Sequence, residues 1–342
     1  MAEDWPQVSI VFVAFNRHDE LATSLRKITE ELDYPAHRLE VIVVDNASSD
    51  GTAEMVRDRF PGVQLIRQPE NIGASAWNVG MSTARGDWRL ILDDDAYIEG
   101  DAMKVAVRRA EAHRADLVSF LVTSSMEEGF FNSDVHSPGL LGFVGCAALF
   151  SRRAIESEPF YDPNIFIWGN ELELTMRLLD RGFRHLYLPE VVSVHQKPIP
   201  RGDRDRERGL HFSVVNHRHW AYTAGKLMQP ADAVVVVARL LLRIALDARH
   251  RDPRLVRALP EILAGFVHGL RFRRPVRPVV SSAYREACFE LSNPLTLVRT
   301  PLQRLRAIGN EDAANRARAE RRLERTHRHG RYYPAETAVL EL

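Results

Sequence analysis

The stretch Trp88-Arg89-Leu90-Ile91-Leu92-Asp93-Asp94-Asp95-Ala96-Tyr97 combines the signal of a buried strand with that of a binding site. An apolar run typical of a β-strand ends abruptly in three adjacent carboxylates, here called the acidic triplet. Neighbouring anions repel one another, so a folded protein keeps them together only when opposite charge compensates them. Mg²⁺ or Mn²⁺ is the usual partner of such oxygens, and a solvated acidic turn is the alternative.

Strands and helices alternate at a steady interval upstream of the acidic triplet. Runs rich in β-branched residues predict the strands, and apolar residues at helical spacing predict the helices between them. The predicted strands are 8–15, 39–44, 63–66 and 88–93, and the predicted helices are 19–32, 53–60 and 71–84. This alternation predicts an α/β fold with a mostly parallel, Rossmann-like sheet and helices on both faces.

Polar residues directly follow three of these strands, in the segments Phe15-Asn16-Arg17, Asp45-Asn46 and Asp93–Asp95. In open parallel α/β sheets, ligands bind beyond the carboxyl ends of the strands. The convergence of the three segments at that edge therefore favours a ligand site over a solvated turn.

The same pattern continues downstream as far as His195. The predicted elements are helix 103–113, strands 116–123 and 142–150, helix 172–181, and strands 184–188 and 191–194. Residues 124–141 lack a clear period and are predicted to form a loop over the site. The glycines of strand 142–150 would let a ligand or another backbone approach closely, and Gly182 is predicted to end the helix before it.

Length and composition are those of an ordinary globular protein. The 342 residues can bury a large core, and 45% of them are hydrophobic and 27% charged. Two cysteines without metal-type spacing, and an N-terminus without a basic signal region, predict a cytoplasmic location. The longest apolar run, Ala233–Leu246, is interrupted by Arg239 and Arg243, so no transmembrane helix is predicted.

The formal charge is unevenly distributed. Residues 1–197 contain 19 Lys and Arg against 31 Asp and Glu, a balance of −12, and residues 198–342 carry +12. Segment 198–225 mixes both signs and is predicted to be a solvated linker that closes a first domain, 1–225. A basic helical region, 226–331, follows, and residues 332–342 are predicted to form a disordered tail.

Two amphipathic helices are predicted in the basic region, one over Ala231–His250 and one that starts at Asp252-Pro253. Apolar stripes bordered by arginine suit either helix–helix packing or shallow insertion into an anionic membrane surface, at the inner face of the plasma membrane. The sequence leaves both open. Interleaved acidic residues and few aromatics over 311–331 argue against nucleic-acid binding.

Five blocks between Val8 and His195, in one order, resemble the family 2 glycosyltransferases, inverting enzymes with the GT-A fold. The likeness extends to bacterial cell-envelope enzymes of the rhamnosyl and galactofuranosyl type. The blocks are the first strand with Phe15-Asn16-Arg17; Val44–Thr52; Asn71-x-Gly73 with Asn78-x-Gly80; the acidic triplet, which matches the family's DxD; and Asn170-Glu171-x-Glu173-Leu174-x-x-Arg177 with Gly182, which matches its ED-x-D-L-x-x-R box.

The resemblance implies a nucleotide-diphosphate sugar donor and a divalent cation, Mn²⁺ or Mg²⁺. Asp95, Asp93 and His195 would bind the metal, although a lone histidine is also a common structural residue. The residues implied in donor binding are Phe15, Asn16, Arg17, Asp45, Asn71, Gly73, Asn78, Asp93 and Asp94. Asp45 would contact the base or ribose or, alternatively, cap its turn, and Asn78 could instead satisfy backbone groups.

The resemblance also implies a general base at Glu171, where the family has Asp, and an orienting or structural Arg177. Glutamate is one methylene longer than the family's Asp, which changes the expected placement of the base but keeps a carboxylate, and Asn170 replaces the family's preceding Glu. Glu171 and Glu173 point in different directions from the helix start, so only one of them can face the cleft. Trp168 and Asn170 are the candidate acceptor contacts, with core packing as the alternative for Trp168.

The predicted function is inverting transfer of a hexosyl or deoxyhexosyl group from a UDP-, dTDP- or GDP-linked donor. The predicted acceptor is a hydroxyl of a glycan or lipid-linked saccharide in polysaccharide or cell-envelope synthesis. Two alternatives stay open at this point: a non-catalytic nucleotide-sugar-binding module, and a nucleotidyltransferase. The second would place a Gly-rich loop after the first strand, where this chain has Asn16-Arg17-His18-Asp19.

Overall fold

The structure is a computed structural model that describes residues 4–126, 142–156, 159–197, 206–250, 252–291 and 338–340. The chain divides into two compact units. The first consists of Met1–Arg201 with Glu336–Glu341, and the second of Gly202–Ala335 with Leu342. Most of the predicted loop 124–141 lies outside the described residues.

The first unit contains a nine-stranded sheet flanked by helices. Its strands are β1 (Val8–Ala14), β2 (Leu39–Asp45), β3 (Gln64–Arg67), β4 (Trp88–Asp93), β5 (Ala96–Tyr97), β6 (Leu117–Ser124), β7 (Ala147–Ser151), β8 (His185–His195) and β9 (Ala338–Leu340). Its helices are α1 (His18–Arg26), α2 (Thr52–Arg59), α3 (Ala76–Thr83), α4 (Ala102–Ala112), α5 (Arg152–Ile155) and α6 (Asn170–Asp180).

The strand order is β3-β2-β1-β4-β7-β6-β8-β5, with β9 paired to β8. Strands β3, β2, β1 and β4 are all parallel, as predicted. Strand β7 runs antiparallel to both β4 and β6, whereas β6 and β8 are again parallel. The fold class is therefore the predicted α/β sheet, with the parallel arrangement concentrated in the first 93 residues.

The register of the central strands aligns their carboxyl ends. Ala14 of β1 lies opposite Asp45 of β2, and Val13 lies opposite Asp93 of β4. The end of β8 reaches the same edge, because His195 pairs with Ala96 immediately after the acidic triplet. Pairing between strands thus brings residues that are 31, 80 and 99 positions apart in the chain to one edge of the sheet.

Helices cover both faces of the sheet, as predicted. One core cluster joins Phe12 of β1 to buried side chains of α1, α2 and α4. The other joins Val11, the next residue on the same strand, to side chains of α3 and α6. Consecutive strand residues point to opposite faces, so the uninterrupted apolar run of β1 packs into both clusters.

Four predicted elements differ clearly from the structure. Helix 19–32 ends at Arg26 and continues as a π-helical turn, Lys27–Glu31. Strand 142–150 begins only at Ala147, and Gly145, inside the predicted strand, lies against Glu171 of α6. The strands predicted at 184–188 and 191–194 form the single strand β8, whose pairing register with β6 shifts after Leu188, at Pro189.

The second unit is helical in its described residues. Its elements are α7 (Arg206–Leu227), α8 (Pro230–His250), a 3₁₀ turn (Pro253–Arg257), α9 (Ala258–Arg271) and α10 (Pro278–Leu291). The linker predicted over 198–225 is wrong for residues 206–225, which are part of α7. The mixed charges of this segment suggested exposure to solvent. The later turns of α7 in fact pack on α9, which lies more than 40 residues further along the chain.

The units divide earlier in the chain than the boundary predicted at residue 225, which falls inside α7. Ala338–Leu340, in the predicted disordered tail, pairs antiparallel with β8 as strand β9. Among the described helices, none combines the length and apolar character required to cross a lipid bilayer.

Gly80 lies where α3 packs closely on the sheet, so adding a side chain there should lower stability. A Cβ at Gly80 would lie 2.4 Å from Val11 Cγ1. Gly80→Ala should therefore destabilise the first unit by about 1–3 kcal/mol, because over-packing forces neighbouring atoms to move. Gly62→Ala is the matched control, since a Cβ there meets no atom within 4 Å. Equal thermal unfolding midpoints for the two variants would contradict the close packing.

Candidate active site

The acidic triplet forms a tight turn that is anchored at both ends. The Asp93 amide donates to the Cys146 carbonyl at 3.0 Å, and the Gln196 amide donates to the Asp95 carbonyl at 2.8 Å. The turn is therefore fixed by backbone hydrogen bonds to the residue that precedes β7 and to the residue that follows β8. Such anchoring holds like charges together at a position that their repulsion alone would disfavour.

The three carboxylates have different surroundings. The Asp95 side chain is fully buried, and its Oδ1 lies 2.8 Å from His195 Nε2. Asp93 is partly exposed, with Oδ2 3.9 Å from the same imidazole nitrogen. Asp94 Oδ2 accepts a hydrogen bond from the Phe15 amide at 3.3 Å and has no contact with His195 in the described residues. The structure thus separates Asp93 and Asp95 from Asp94.

Asp93, Asp95 and His195 could hold a divalent cation. One ligand atom from each residue can be chosen so that all three lie within 4.8 Å of one another. Two carboxylates and an imidazole form a donor set suited to Mn²⁺ and related cations, so the residues fit the predicted cofactor. The family resemblance had named these three residues, and the fold brings them together from the ends of β4 and β8.

Two basic side chains approach Asp95 from the other side. Lys197 Nζ lies 2.7 Å from Asp95 Oδ2, and Arg17 lies 3.9 Å from the same oxygen. Burial alone would raise the pKa of Asp95, but His195 and Lys197 outweigh it and hold that pKa well below its usual range. Asp95 is therefore an anion at neutral pH, as a metal ligand must be.

Asp94 shows the opposite behaviour. Burial, followed by the charges of Asp95 and Asp93, raises the pKa of Asp94 to about 8. The triplet thus carries fewer than three full charges at neutral pH, which is how neighbouring carboxylates relieve their repulsion.

Asp45 lies at the end of β2 with an oxygen directed into the edge of the sheet. Its side chain is fully buried, and Oδ1 accepts a hydrogen bond from the Ser48 amide at 3.1 Å. Oδ2 makes no hydrogen bond in the described residues, although Arg67 Nε lies 3.4 Å away. One oxygen therefore caps the turn, which is the structural role considered for Asp45, and the other is a buried acceptor without a hydrogen bond in the described residues.

Asn16 and Asn71, both implied in donor binding, use their amide oxygens to shape the loops around the site. Asn16 Oδ1 accepts from the Ser49 amide at 2.8 Å and ties the loop after β1 to the loop after β2. Asn71 Oδ1 accepts from the Gly73 amide at 2.9 Å and from Asn46 Nδ2 at 3.0 Å. The observed contacts of both oxygens are therefore architectural.

Asn78 and Gly73 hold the loop that leads into α6. Asn78 donates to the Tyr161 carbonyl at 2.9 Å and accepts from the Tyr161 amide at 2.7 Å, so the structural alternative describes its side chain better than donor contact does. Gly73 has a φ of +59°, and a Cβ there would lie 2.3 Å from the Phe166 carbonyl oxygen. Only glycine fits this position without a backbone shift.

Glu171 stands on the first turn of α6 and is half-buried. Burial, with a smaller contribution from Asp93, raises the pKa of Glu171 to about 7. A Cβ at Gly145 would lie 2.2 Å from Glu171 Oε1, so the glycine makes room for this carboxylate. Glu173 is fully buried and paired with Arg177 at 2.9 Å. Of the two glutamates, Glu171 is the one with access to solvent.

The backbone before α6 is unusual. Trp168 has a φ of +61° although it is not a glycine, a conformation that costs roughly 1–3 kcal/mol. Its neighbours Phe166 and Ile167 are exposed at 52% and 42%, so an apolar surface lies directly before Glu171 in the chain. Asn170 is only 4% exposed, which disfavours the predicted contact between its side chain and an acceptor.

Lys197 and Gly145 were not predicted as site residues. Lys197 lies two positions after His195 and beyond the end of β8, so no strand alternation in the sequence could have placed it beside Asp95. Gly145 had been noted only as a point of close approach, because the sequence does not show which group approaches it.

An α/β sheet with an acidic triplet, a candidate divalent-cation site and a half-buried carboxylate near one edge is the arrangement expected of a GT-A fold. Residues 9–167 match Glycosyl transferase family 2, so this part of the chain is a family 2 glycosyltransferase domain. The match covers the acidic triplet and Asp45 and ends before Glu171 and His195.

Two curated relatives and one solved structure illustrate the likeness. Glycosyltransferase AglE of Haloferax volcanii is 25% identical over 209 residues, covering 57% of this chain and 68% of AglE. The dolichyl N-acetyl-alpha-D-glucosaminyl phosphate 3-beta-D-2,3-diacetamido-2,3-dideoxy-beta-D-glucuronosyltransferase of Methanococcus voltae is 22% identical over 222 residues, covering 54% of this chain and 65% of the relative. The chain thus spans about two thirds of the length of each.

The solved structure is the mannosyltransferase PcManGT of Pyrobaculum calidifontis, in complex with GDP-Man and Mn²⁺. It matches with a TM-score of 0.54 at 22% identity, covering 86% of this chain and 83% of that one. The likeness establishes the shared GT-A fold.

Lys197 and a divalent cation would compete for the same Asp95 oxygen, which predicts the effect of removing the lysine. Lys197→Met should raise the affinity for Mn²⁺ at least tenfold, because about 1.4 kcal/mol suffices for that factor and close charges at a partly buried site interact by more. Titration calorimetry without any sugar nucleotide measures it directly. Lys104→Met, which removes a lysine paired with Asp33 at 2.6 Å, is the matched control and should leave Mn²⁺ affinity unchanged. Unchanged affinity in Lys197→Met would contradict the competition.

Proposed function

We propose that this protein is an inverting glycosyltransferase in which Glu171 is the general base. The proposed reaction moves a hexosyl or deoxyhexosyl group from a nucleoside-diphosphate sugar to a hydroxyl of a glycan or lipid-linked saccharide. The observation that carries the proposal is the Glu171 carboxylate, which is half-buried, has a raised pKa and lies against Gly145.

The environment of Glu171 suits proton abstraction near neutral pH. A general base works best when its pKa is close to the operating pH, and burial raises the pKa of Glu171 to about 7. Glu173 is unsuited to this role, because it is fully buried and occupied by Arg177. The departure from the family's Asp lengthens the side chain by one methylene, and the missing side chain at Gly145 supplies the space.

The reaction would proceed as a single displacement at the anomeric carbon. Glu171 takes the proton of the acceptor hydroxyl as its oxygen forms the new bond, and the bonding electron pair of the sugar–phosphate bond leaves with the nucleoside diphosphate. A divalent cation held by Asp93, Asp95 and His195 would supply charge stabilisation for that leaving group. Attack opposite the leaving group inverts the anomeric configuration.

The donor would lie along the carboxyl edge of the central strands. Asp45 would accept from the base or ribose through Oδ2, which is buried and makes no hydrogen bond in the described residues, and Arg67 Nε stands 3.4 Å from it. Arg17 and Lys197 lie on the other side of the acidic triplet, where basic groups can contact a diphosphate. Asp93 would contact sugar or ribose hydroxyls in addition to the metal.

The acceptor would approach the segment before α6, where Phe166, Ile167 and Trp168 form an apolar and aromatic surface. Aromatic faces commonly support sugar rings, and apolar ones also suit a lipid carrier. The Methanococcus voltae relative is named for a dolichyl-phosphate-linked acceptor. We therefore include lipid-linked saccharides among the acceptors and place the enzyme in the cytoplasm, at the inner face of the plasma membrane.

The alternative of a non-catalytic sugar-binding module rested on Asn170 replacing a family Glu. Asn170 is buried, whereas the carboxylate of Glu171 reaches solvent, so the substitution leaves the proposed base in place. Incubating the protein with a panel of labelled nucleotide sugars, after a thermal-shift screen of the same panel with and without Mn²⁺, separates the two. Ligand stabilisation with neither hydrolysis nor transfer of any donor would favour the module.

Glu171→Gln should lower kcat by about 10²–10⁴-fold, because it removes the base and leaves the donor site intact. Glu171→Asp is the matched variant, since it keeps a carboxylate and restores the family's residue; it should retain most of the activity that Glu171→Gln loses. Donor affinity, measured by calorimetry, should be similar in both variants. Turnover of Glu171→Gln close to that of the wild type would refute the assignment.

The raised pKa of Glu171 also predicts a pH dependence. The base is active when deprotonated, so kcat/KM should rise with pH through a midpoint at or just below about 7. A cation on Asp93 would remove part of the repulsion between Asp93 and Glu171 and move the midpoint downward.

The raised pKa of Glu171 also predicts an effect on stability. The folded state holds the Glu171 proton more tightly than the unfolded state, so the contribution of Glu171 to stability falls as pH rises towards 7. Glu171→Gln should therefore be at least as stable as the wild type at pH 8, which thermal unfolding checks.

A further inference from the structure

Helix α9 buries Ile262 together with the small residues Ala258, Gly265 and Gly269, and leaves three large apolar residues exposed. Gly265 and Gly269 are buried, whereas Leu263, Val267 and Leu270 are exposed at 50%, 53% and 42%. A helix on the surface of a water-soluble protein normally turns most of its large apolar side chains to the core, whereas Leu263, Val267 and Leu270 of α9 face away from it.

The orientation of α9 is fixed by close backbone contact with α7. A Cβ at Gly265 would lie 2.2 Å from the Arg218 carbonyl oxygen, and one at Gly269 would lie 2.1 Å from that of Tyr222. Glycines four residues apart let the two helices approach more closely than larger side chains would allow. Rotating α9 to bury its leucines would destroy this contact, so the apolar residues cannot turn inward.

The exposed residues form a continuous stripe. Val256, in the 3₁₀ turn before α9, is 52% exposed, and Pro260 continues the row towards Leu263. The spacing from Val256 through Leu270 alternates between four and three residues, which keeps these positions on one side of a helix. The stripe is thus an extended apolar surface rather than scattered single residues, and such surfaces mark interaction sites.

Positive charge borders this stripe at both ends. Arg257 is exposed at one end, and Arg271 and Arg274 are exposed at the other, with no ion pair to any of them in the described residues. Glu261, the acidic residue of α9, is bound to Arg218 at 2.7 Å. The surface therefore combines exposed apolar groups with uncompensated arginines.

We propose that this surface, the α9 outer face (Val256, Leu263, Val267 and Leu270 with Arg257, Arg271 and Arg274), binds an anionic lipid bilayer. The helix would lie in the plane of the interface, with its apolar stripe at the acyl boundary and its arginines among the anionic headgroups. The charge complementarity between the arginines and acidic lipids selects this occupant.

Other occupants fit the charges less well. A twofold contact with a second copy would bring the arginines of one α9 towards those of the other, which like-charge repulsion disfavours. Segment 311–331 of the same chain is itself rich in arginine, so it carries the wrong charge to cover the surface. A lipid surface offers negative charge and an apolar layer together.

The biological role of this membrane contact rests on the proposed function, because an enzyme that acts on lipid-linked saccharides must reach them at a bilayer. Its test uses neither donor nor acceptor. A failure of membrane binding would therefore leave the transfer reaction untouched, and a failure of transfer would leave the membrane inference untouched.

The experiment is vesicle flotation with the full chain, comparing phosphatidylcholine vesicles with vesicles that also contain phosphatidylglycerol. The protein should float with the anionic vesicles at low salt, and less so at high salt, where the arginine contribution is screened. Binding to neither kind of vesicle would overturn the proposal.

Two sets of substitutions separate the apolar and charged parts of the surface. Leu263→Ser/Val267→Ser/Leu270→Ser should weaken binding to anionic vesicles on the order of 100-fold, because three partly inserted side chains are lost. Arg271→Gln/Arg274→Gln should weaken it roughly 20-fold on anionic vesicles only. The matched control is Val234→Ser/Leu242→Ser, which alters exposed apolar residues of α8 and should bind like the wild type.

Light scattering and thermal unfolding complete the test. All variants should keep the unfolding midpoint and oligomeric state of the wild type, because the changed side chains are exposed. If the triple serine variant instead breaks a dimer and still binds vesicles as well as the wild type does, the α9 outer face is a contact between copies and the lipid proposal is wrong.

Discussion

The first unit depends on the compensation of the acidic triplet. Three consecutive carboxylates at a strand end would repel one another, and the fold places His195, Lys197 and Arg17 around Asp95 to oppose that repulsion. The pKa of Asp95 falls below its usual range, whereas burial and its neighbours raise the pKa of Asp94 to about 8. One carboxylate is thereby kept charged and another is relieved of charge near neutrality. The same arrangement leaves Asp93, Asp95 and His195 spaced to share a cation.

Glycines determine how closely neighbouring segments pack in both units. Gly80 allows α3 to pack closely on β1, and Gly73 allows the backbone at Phe166, before α6, to pass close by. Gly145 leaves space for Glu171. In the second unit Gly265 and Gly269 bring α9 against α7. In each case the missing side chain decides which neighbouring group can come near. The position of the proposed base and the exposed apolar stripe of α9 both follow from such absences.

The sequence predicted much of the first unit correctly, because its signals are local. The β-branched runs before Asp45 and Asp93 became parallel strands whose ends share one edge, and the five family blocks pointed to the GT-A fold. Predictions were weaker where one segment's role depends on another. From the sequence, Asn78 could equally contact the donor or satisfy backbone groups. Its two hydrogen bonds to the backbone of Tyr161 favour the second role. The linker predicted over 206–225 became α7, because its stabilising contacts lie in α9.

The sequence by itself determined the α/β class, the acidic triplet at a strand end and the family, since apolar period, charge and short motifs are properties of contiguous residues. Only the tertiary structure decided the burial and the surroundings of each carboxylate. Asp95 is buried beside His195, 100 positions away, and Glu171 rather than Glu173 reaches solvent, because strand pairing and helix packing set distance and burial. A pKa depends on both of these quantities, so the chemistry of each carboxylate emerges only when segments remote in the chain are packed together.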